Sequence, residues 1–508
     1  MHKYLAWTLS FIAGFLLMVL ELTASRIMAP LMGTSLYTWT AVIGVVLTGL
    51  SFGAYAGGRV IDRWPNLRTL GYVFFGSGMS IALLFLLSSG AFLFVTAPLP
   101  IPVLATGIAF LLFFLPSFML GMIQPMIVRL STSALTTIGK SYGLLSAVWS
   151  LGSIVGVFAT GFILIPEVGS MKTLVFLAML LVFIGGVILR KTHKGKMLGT
   201  MTTLLFLLSL STVAVPRYAS NVLFAKETAY YSAFVADTSM LPRYGASRLL
   251  FLDLDTHSIN RANIDEPMYT DVARLLSAGL TSTSATLTIG AGAYTFPNEL
   301  ARLSSSTVEV LEVDPEVPHI AQQFFPIDPK IETAVSDARI FLTRSDRQYD
   351  LIVGDAFSSY ISVPWHLLTK EFDTSVSLHL NQNGIYAINI ISGVKGEKGA
   401  LFAAVYATLK QVFPHVEAYA FGSDGAEVQN IVLIASLTPL DDLVARGKII
   451  SIVAGKNQVF ERKRLIESPE QGIILTDDYA PTEKLLSPIT ETILSRSILL
   501  HQSVLRTL

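Results

Sequence analysis

Apolar positions follow two different rhythms along this chain. Up to residue 216 they come in nearly unbroken stretches, at about 4–24, 37–61, 69–87, 101–127, 141–165, 171–189 and 197–215. Most reach the roughly 20 residues that a helix needs to cross a bilayer, where each segment must satisfy its own backbone polar groups. The last is the shortest. The first has the look of a signal peptide, but no small-residue cleavage site follows it and further spans do, so an anchored helix is expected. Beyond 216 the stretches shorten to strand length. NVLFAKETAYYSAFVAD and SRLLFLDLD predict a small antiparallel β region at about 217–265. From about 271, ATLTIGAG, TVEVLEVD, YDLIVGDAF, GIYAINI and EVQNIVLIAS predict buried strands with helices between them. That alternation implies a mostly parallel, doubly wound sheet. The expected architecture is a multispan α-helical membrane bundle (1–216, about seven spans), a small β-strand region (217–270), a Rossmann-like α/β domain (271–490) and a C-terminal tail (491–508).

Composition sharpens this division. The 508 residues are 52% apolar and only 14% charged, which is a membrane-class balance. The net charge of zero conceals an asymmetry: residues 1–216 hold 12 Lys/Arg and 3 Asp/Glu, so the remainder holds 36 − 12 = 24 basic and 36 − 3 = 33 acidic residues. An acidic soluble half argues against nucleic-acid binding and is compatible with a cationic substrate. With no cysteine, disulfides, thiol catalysis and thiolate metal sites are excluded. No metal site is expected.

Charges beside membrane spans invite a functional reading. Glu21 and Arg26 are either an interfacial ion pair that fixes the first helix or part of a polar path through the bundle. GLSFGAYAGG (49–58), with Gly152, Gly156 and Gly161, suits close helix packing. Counted over seven spans, Lys3, Arg59, Arg63, Arg68, Arg129, Lys140, Arg190, Lys191, Lys194 and Lys196 fall on one side, against Arg26 and Lys172 on the other. The positive-inside rule puts the first set in the cytoplasm and the soluble half outside. A nucleoside-type cosubstrate, being cytosolic, argues the opposite.

Ligands of doubly wound sheets sit beyond the carboxyl ends of the strands. In LTIGAGAYT, Gly290 and Gly292 let backbone approach a ligand closely, and Glu312, after the next strand, can hold two ribose hydroxyls. Asp337 and Asp355 end the following strands. Bland roles compete: Glu312 and Asp314 as a helix-start cluster, Asp337 as a cap for ARIFLTR, His257 and Tyr269 as structural hydrogen-bonders, and His366 as a packing or capping residue. Asp355, at a central strand end facing the crevice, suits a base or a cation holder.

Taken together these residues resemble the spermidine synthase (polyamine aminopropyltransferase) family, and more closely its bacterial membrane-integrated branch. The resemblance covers about 217–490 and continues into the bundle through ELTASRIMAPLMGTSLYTW, GGRVIDRW and YGLLSAVWSLGSIVGVFATGF. NVLFAKETAYYSAFV looks like the family's first hairpin and LFLDLDTHSI like the stretch before the active-site lid, which brings in His257. DEPMYTDV would carry a substrate-facing Tyr269, IGAGAY the glycine turn, LEVD the ribose acid Glu312, SDAR the adenine-side Asp337 with Ala338, and VGDAF the catalytic Asp355. LTDDYAPTEKLL is typical of the membrane branch. The resemblance implies S-adenosylmethionine (SAM) or its decarboxylated form as cosubstrate, with no metal. It implies a lipid bilayer and a small-molecule substrate, a polyamine among the candidates, as partners, and leaves a homo-oligomer open. The location implied is the bacterial inner membrane, multi-pass.

Two departures bear on the reaction. The family's glycine turn usually reads GGGDG, and its aspartate binds the amine of the decarboxylated cosubstrate; here that place is Ala293. A second acid usually follows the base by three residues; here that place is Ser358. A buried ammonium without its carboxylate partner binds poorly. Alongside an aminopropyltransferase-like enzyme, a SAM lyase or cyclase that uses no amine acceptor is therefore expected in competition. A transporter or sensor with a nucleoside- or polyamine-binding domain and an ordinary methyltransferase are further alternatives.

Overall fold

The computed structural model describes residues 1–32, 35–95, 99–132, 138–190, 219–239, 246–261, 267–277, 280–304, 306–357, 362–420, 428–440, 466–469 and 471–505. The chain divides into two units, Met1–Tyr218 with Lys226–Ala229, and Ala219–Ala225 with Tyr230–Leu508.

In the first unit, six helical segments among the described residues are long and apolar enough to cross a membrane. They comprise α1 (Lys3–Met32), α2 (Leu36–Arg63), α3 (Leu67–Val95), α4 (Ile101–Gly121) continued by α5 (Ile123–Ser131), α6 (Ile138–Ala159) and α7 (Ser170–Arg190). The seventh expected stretch, 197–215, lies outside the described residues. Of the glycines expected to serve packing, Gly49, Gly53, Gly57, Gly152 and Gly156 lie against a neighbouring helix, whereas Gly58 and Gly161 have no atom near the place of a Cβ. A Cβ at Gly53 would fall 2.1 Å from the Phe118 carbonyl oxygen, and one at Gly152 2.1 Å from that of Phe11, so α2–α4 and α1–α6 touch backbone to backbone. After α6 the helix widens into a π-helical stretch, Thr160–Val168, where Pro166 withholds an amide donor. Arg26 donates to the backbone oxygens of Thr228, at 3.2 Å, and Ala229, and Glu227 accepts from the Ser170 amide at 2.7 Å and from its hydroxyl. At the other helix ends, Arg129 pairs with Asp62 at 3.0 Å and the Met1 ammonium reaches the Leu130 carbonyl at 2.7 Å.

The second unit opens with a four-stranded sheet, β1 (Val222–Glu227), β2 (Ser232–Thr238), β3 (Ser247–Leu252) and β4 (Asp255–Arg261), in that order. Then follow α8 (Pro267–Ser277), β5 (Ala285–Ile289), α9 (Thr295–Ser304), β6 (Thr307–Glu312), α10 (Glu316–Phe324), β7 (Ile331–Val335), α11 (Ala338–Arg344), β8 (Tyr349–Phe357), α12 (Lys370–Leu378), β9 (Leu380–Ser392), α13 (Ala400–Leu409), β10 (His415–Ala420), β11 (Gln429–Ser436) and α14 (Thr482–Leu505). The seven-stranded sheet runs β10-β11-β9-β8-β5-β6-β7. Strands β5 to β9 are mutually parallel, as their continuous apolar runs imply. β11 lies antiparallel between β9 and β10, within the mostly parallel sheet expected. One face packs on α11–α14, the other on α8, α9, α10 and the inner side of the small sheet. Strand order reverses between β5 and β8, which opens the crevice where such sheets bind ligands. Residues 491–505, expected as a tail, continue α14, and Val504 seals Phe234, Leu249 and Phe251 on the outer side of the small sheet.

Candidate active site

The glycine turn and the strand-end acids meet at this reversal. Gly290 leaves β5 with φ 99°, and a Cβ there would lie 2.9 Å from the Asp355 carbonyl oxygen. Only glycine allows the turn and the β8 end to approach so closely. Gly292, at φ 50°, sits against Ser258, whose hydroxyl accepts from the Ala293 amide at 2.9 Å. Tyr294 is left-handed at φ 60°, a strained state for an aromatic residue; it is anchored by its hydroxyl, 2.8 Å from Thr333 Oγ1.

Glu312 ends β6 only 7% exposed. Its Oε2 accepts from the Ala291 amide at 3.1 Å and its Oε1 from the Asp314 amide at 3.0 Å. Burial raises its carboxyl above the ordinary range, against the pull of these amides. Each oxygen keeps a further acceptor direction for a sugar hydroxyl. Asp314 is fully buried and accepts from the Glu316 amide at 3.0 Å, in the helix-start role expected of it.

Asp355 lines a pocket otherwise walled by Val272, Leu276, Phe296, Val353, Ala387 and Val432, with Asn389 as the other polar group. Asn389 Nδ2 donates to Asp355 Oδ1 at 2.8 Å, and Asn430 Nδ2 donates to Asn389 Oδ1 at 3.1 Å. Desolvation pushes the Asp355 carboxyl up to about 6, although the Asn389 bond pulls it down. A carboxyl in that range exchanges protons close to neutrality.

Asp337 is the N-cap of α11, accepting from the Ile340 amide at 3.0 Å, while its Oδ2 stands 3.2 Å from His366 Nε2. Ala338 opens the helix and is buried. Beside them Arg339 grips Asp477, from the LTDDYAP stretch, at 2.8 and 2.7 Å, and Thr369 Oγ1 donates to Asp477 at 2.8 Å. Burial opposes ionisation of Asp477, but Arg339 and Thr369 prevail and hold its carboxyl low.

His257, on β4, is enclosed beside Tyr231, with ring centroids 6.3 Å apart. Desolvation pushes its imidazole down to about 4, so it is neutral at physiological pH. Burial, then the charges of Glu312, Asp253 and Asp314, hold the Tyr231 phenol protonated. Tyr269 lies in the first turn of α8; its side chain, and Ser358, are outside the described residues. Gly290, Glu312 and Asp355 are thus brought together, whereas Asp337 stands with His366 and Arg339. Asn389, Asn430 and Tyr231 escaped the sequence reading. For the two asparagines the available signal was an Asn within or bordering an apolar run, in IYAINII for Asn389 and NIVLIA for Asn430.

No protein-family model matches the chain. A polyamine aminopropyltransferase from Vibrio vulnificus (strain CMCP6) is 30% identical over 239 residues, which cover 44% of this chain and 77% of that protein. A probable polyamine aminopropyl transferase from Bifidobacterium longum (strain NCC 2705) is 26% identical over 235 residues, 43% of this chain and 52% of that protein. A polyamine aminopropyltransferase from Corynebacterium efficiens is 26% identical over 401 residues, 72% of this chain and 73% of that protein. That last share exceeds what residues 219–508 alone can supply, so the likeness reaches into the helices.

Proposed function

The chain belongs to the polyamine aminopropyltransferase (spermidine synthase) family, and from that premise we propose that it binds SAM or its decarboxylated form and cleaves the sulfonium–alkyl bond, releasing 5'-methylthioadenosine. Glu312 holds the ribose hydroxyls, while Asp337 and the Ala338 amide meet the adenine edge. The Gly290–Gly292 turn admits the nucleoside, His257 closes the site from the small-sheet side, and Tyr269 keeps the substrate-facing role that the family resemblance implies. An amine nitrogen attacks the methylene beside the sulfonium. The carbon–sulfur bond breaks with its electron pair going to sulfur, and the amine proton passes to Asp355. The observation that carries this reading is Asp355, held at the strand-order reversal in an apolar pocket with its carboxyl near 6.

A second reading is favoured by Ala293. This residue is 1% exposed, packed in the core, and offers no carboxylate to an aminopropyl ammonium. Nothing at that position repels the carboxylate of intact SAM. In that case the molecule's own amine or carboxylate is the nucleophile, and the enzyme is a lyase or cyclase. The deciding experiment incubates the purified full chain with SAM or its decarboxylated form, with and without putrescine, and identifies the products. Amine-dependent methylthioadenosine supports the transferase, and amine-independent methylthioadenosine the lyase. S-adenosylhomocysteine, or no turnover with either cosubstrate, overturns both.

The six apolar helical segments support a multi-pass protein of the bacterial inner membrane, with the Lys/Arg-rich helix ends in the cytoplasm.

A further inference from the structure

We infer that Asn389, oriented by Asn430, is the positioning residue that fixes how Asp355 presents its carboxylate to the alkyl arm of the cosubstrate; this rests on the reading of Asp355 as the proton acceptor. The argument begins with geometry. An asparagine amide has a donor end and an acceptor end, and nothing intrinsic selects which one faces a neighbour. Here Asn430 Nδ2 donates to Asn389 Oδ1 at 3.1 Å, which holds the acceptor end of Asn389 away from Asp355. The donor end must then face the carboxylate, and Asn389 Nδ2 meets Asp355 Oδ1 at 2.8 Å. One carboxylate oxygen is committed, and the other is left to receive the substrate's proton. The register of the sheet builds this chain: Val432 of β11 pairs with Asn389 of β9, and Val353 of β8 pairs with Ala387, so both asparagines share the face that carries Asp355.

The described side chains that face Asp355 across the pocket are Val272 and Leu276 of α8, Phe296 of α9, Ala387 and Asn389 of β9, and Val432 of β11. None of these titrates, and in such surroundings a single fixed dipole has a large effect on an ionised group. The amide donor favours the charged carboxylate. Without it, Asp355 ionises at higher pH, and at a given pH less of the protein holds the negative charge that meets a sulfonium.

The test measures equilibrium binding of SAM, and of neutral methylthioadenosine, to the full chain across pH. Wild-type affinity for the sulfonium should weaken as pH falls through about 6, while methylthioadenosine binding stays level. In Asn389→Ala the sulfonium midpoint should move up by about one unit, the size of one hydrogen bond to a charged group. Asn430→Leu, which frees the Asn389 amide to turn, should move it the same way by less. A purely structural role for the asparagines would lower thermal stability and leave the midpoint in place; that outcome overturns the inference while the base reading stands. A wild type that binds neither ligand removes the cosubstrate reading and this inference with it.

Discussion

Asp355 would carry its charge inside an apolar pocket, and this fixes the sign of its pH behaviour. Its folded-state carboxyl, at about 6, lies above the ordinary aspartate value of roughly 3.9. Its contribution to stability is therefore present below about pH 4 and is lost as pH rises through about 6. Proton acceptance runs the other way, because the ionised form is the base, so the rate should climb across the same interval. Asp355→Asn should cut methylthioadenosine formation by about 100- to 10,000-fold and remove this part of the pH dependence of thermal stability. Near-wild-type turnover in that variant would end the proposed role. At this scale the placement of Gly290, Glu312 and Asp355 around one crevice was legible, because a doubly wound sheet gathers its strand ends at the strand-order reversal. Asn389 and Asn430 were not, because a polar residue inside an apolar strand does not reveal which face it occupies until the register with its neighbours is known.

The β5–α9 turn and the start of α11 carry two predictions that belong to elements. At Gly290 a Cβ would meet backbone, the Asp355 carbonyl oxygen at 2.9 Å, and the φ of 99° adds strain for any side chain. At Gly292 the nearest atom is the rotatable Ser258 hydroxyl at 3.0 Å. Gly290→Ala should therefore push β8 from the turn and abolish turnover, while Gly292→Ala retains a measurable rate. Equal losses in assays of both variants, each shown folded by circular dichroism, would contradict this ordering. Asp477, from a stretch distant in sequence, clamps Arg339 in the first turn of α11, next to the Asp337 cap. Asp477→Asn should raise the KM for the cosubstrate roughly fivefold, the scale of a partly exposed ion pair, with kcat nearly unchanged. A fall in kcat at constant KM would assign the clamp a different role. Five of the strands announced themselves as apolar runs, but the reversed direction of β11 did not, since apolar composition is the same in either direction. The continuation of α14 through 491–505 was also hidden, because Pro488 inside it and the mixed polarity after it suggest an ending.

For the molecule as a whole, the unresolved expectation was the side of the membrane, and the bonds at the two bundle ends bear on it. Successive spans alternate in direction. Met1, Asp62, Arg129 and Leu130 mark one end, which carries the Lys/Arg-rich termini of α2, α5 and α7. Arg26, Ser170 and the turn Lys226–Ala229 mark the other. By the positive-inside rule, ten basic residues against two predict that the first end is cytoplasmic and residues 226–229 lie on the far side. The absence of cysteine makes a clean measurement available. Ala229→Cys, at an exposed position, should react with a membrane-impermeant maleimide in intact spheroplasts, and Arg63→Cys only after permeabilisation. Such labelling would mean that the site draws its sulfonium from outside the cytoplasm, or through the bundle, and would give the helices a part in supply. The reverse pattern would return the turn to the cytosolic pool of cosubstrate and set the charge rule aside for this chain.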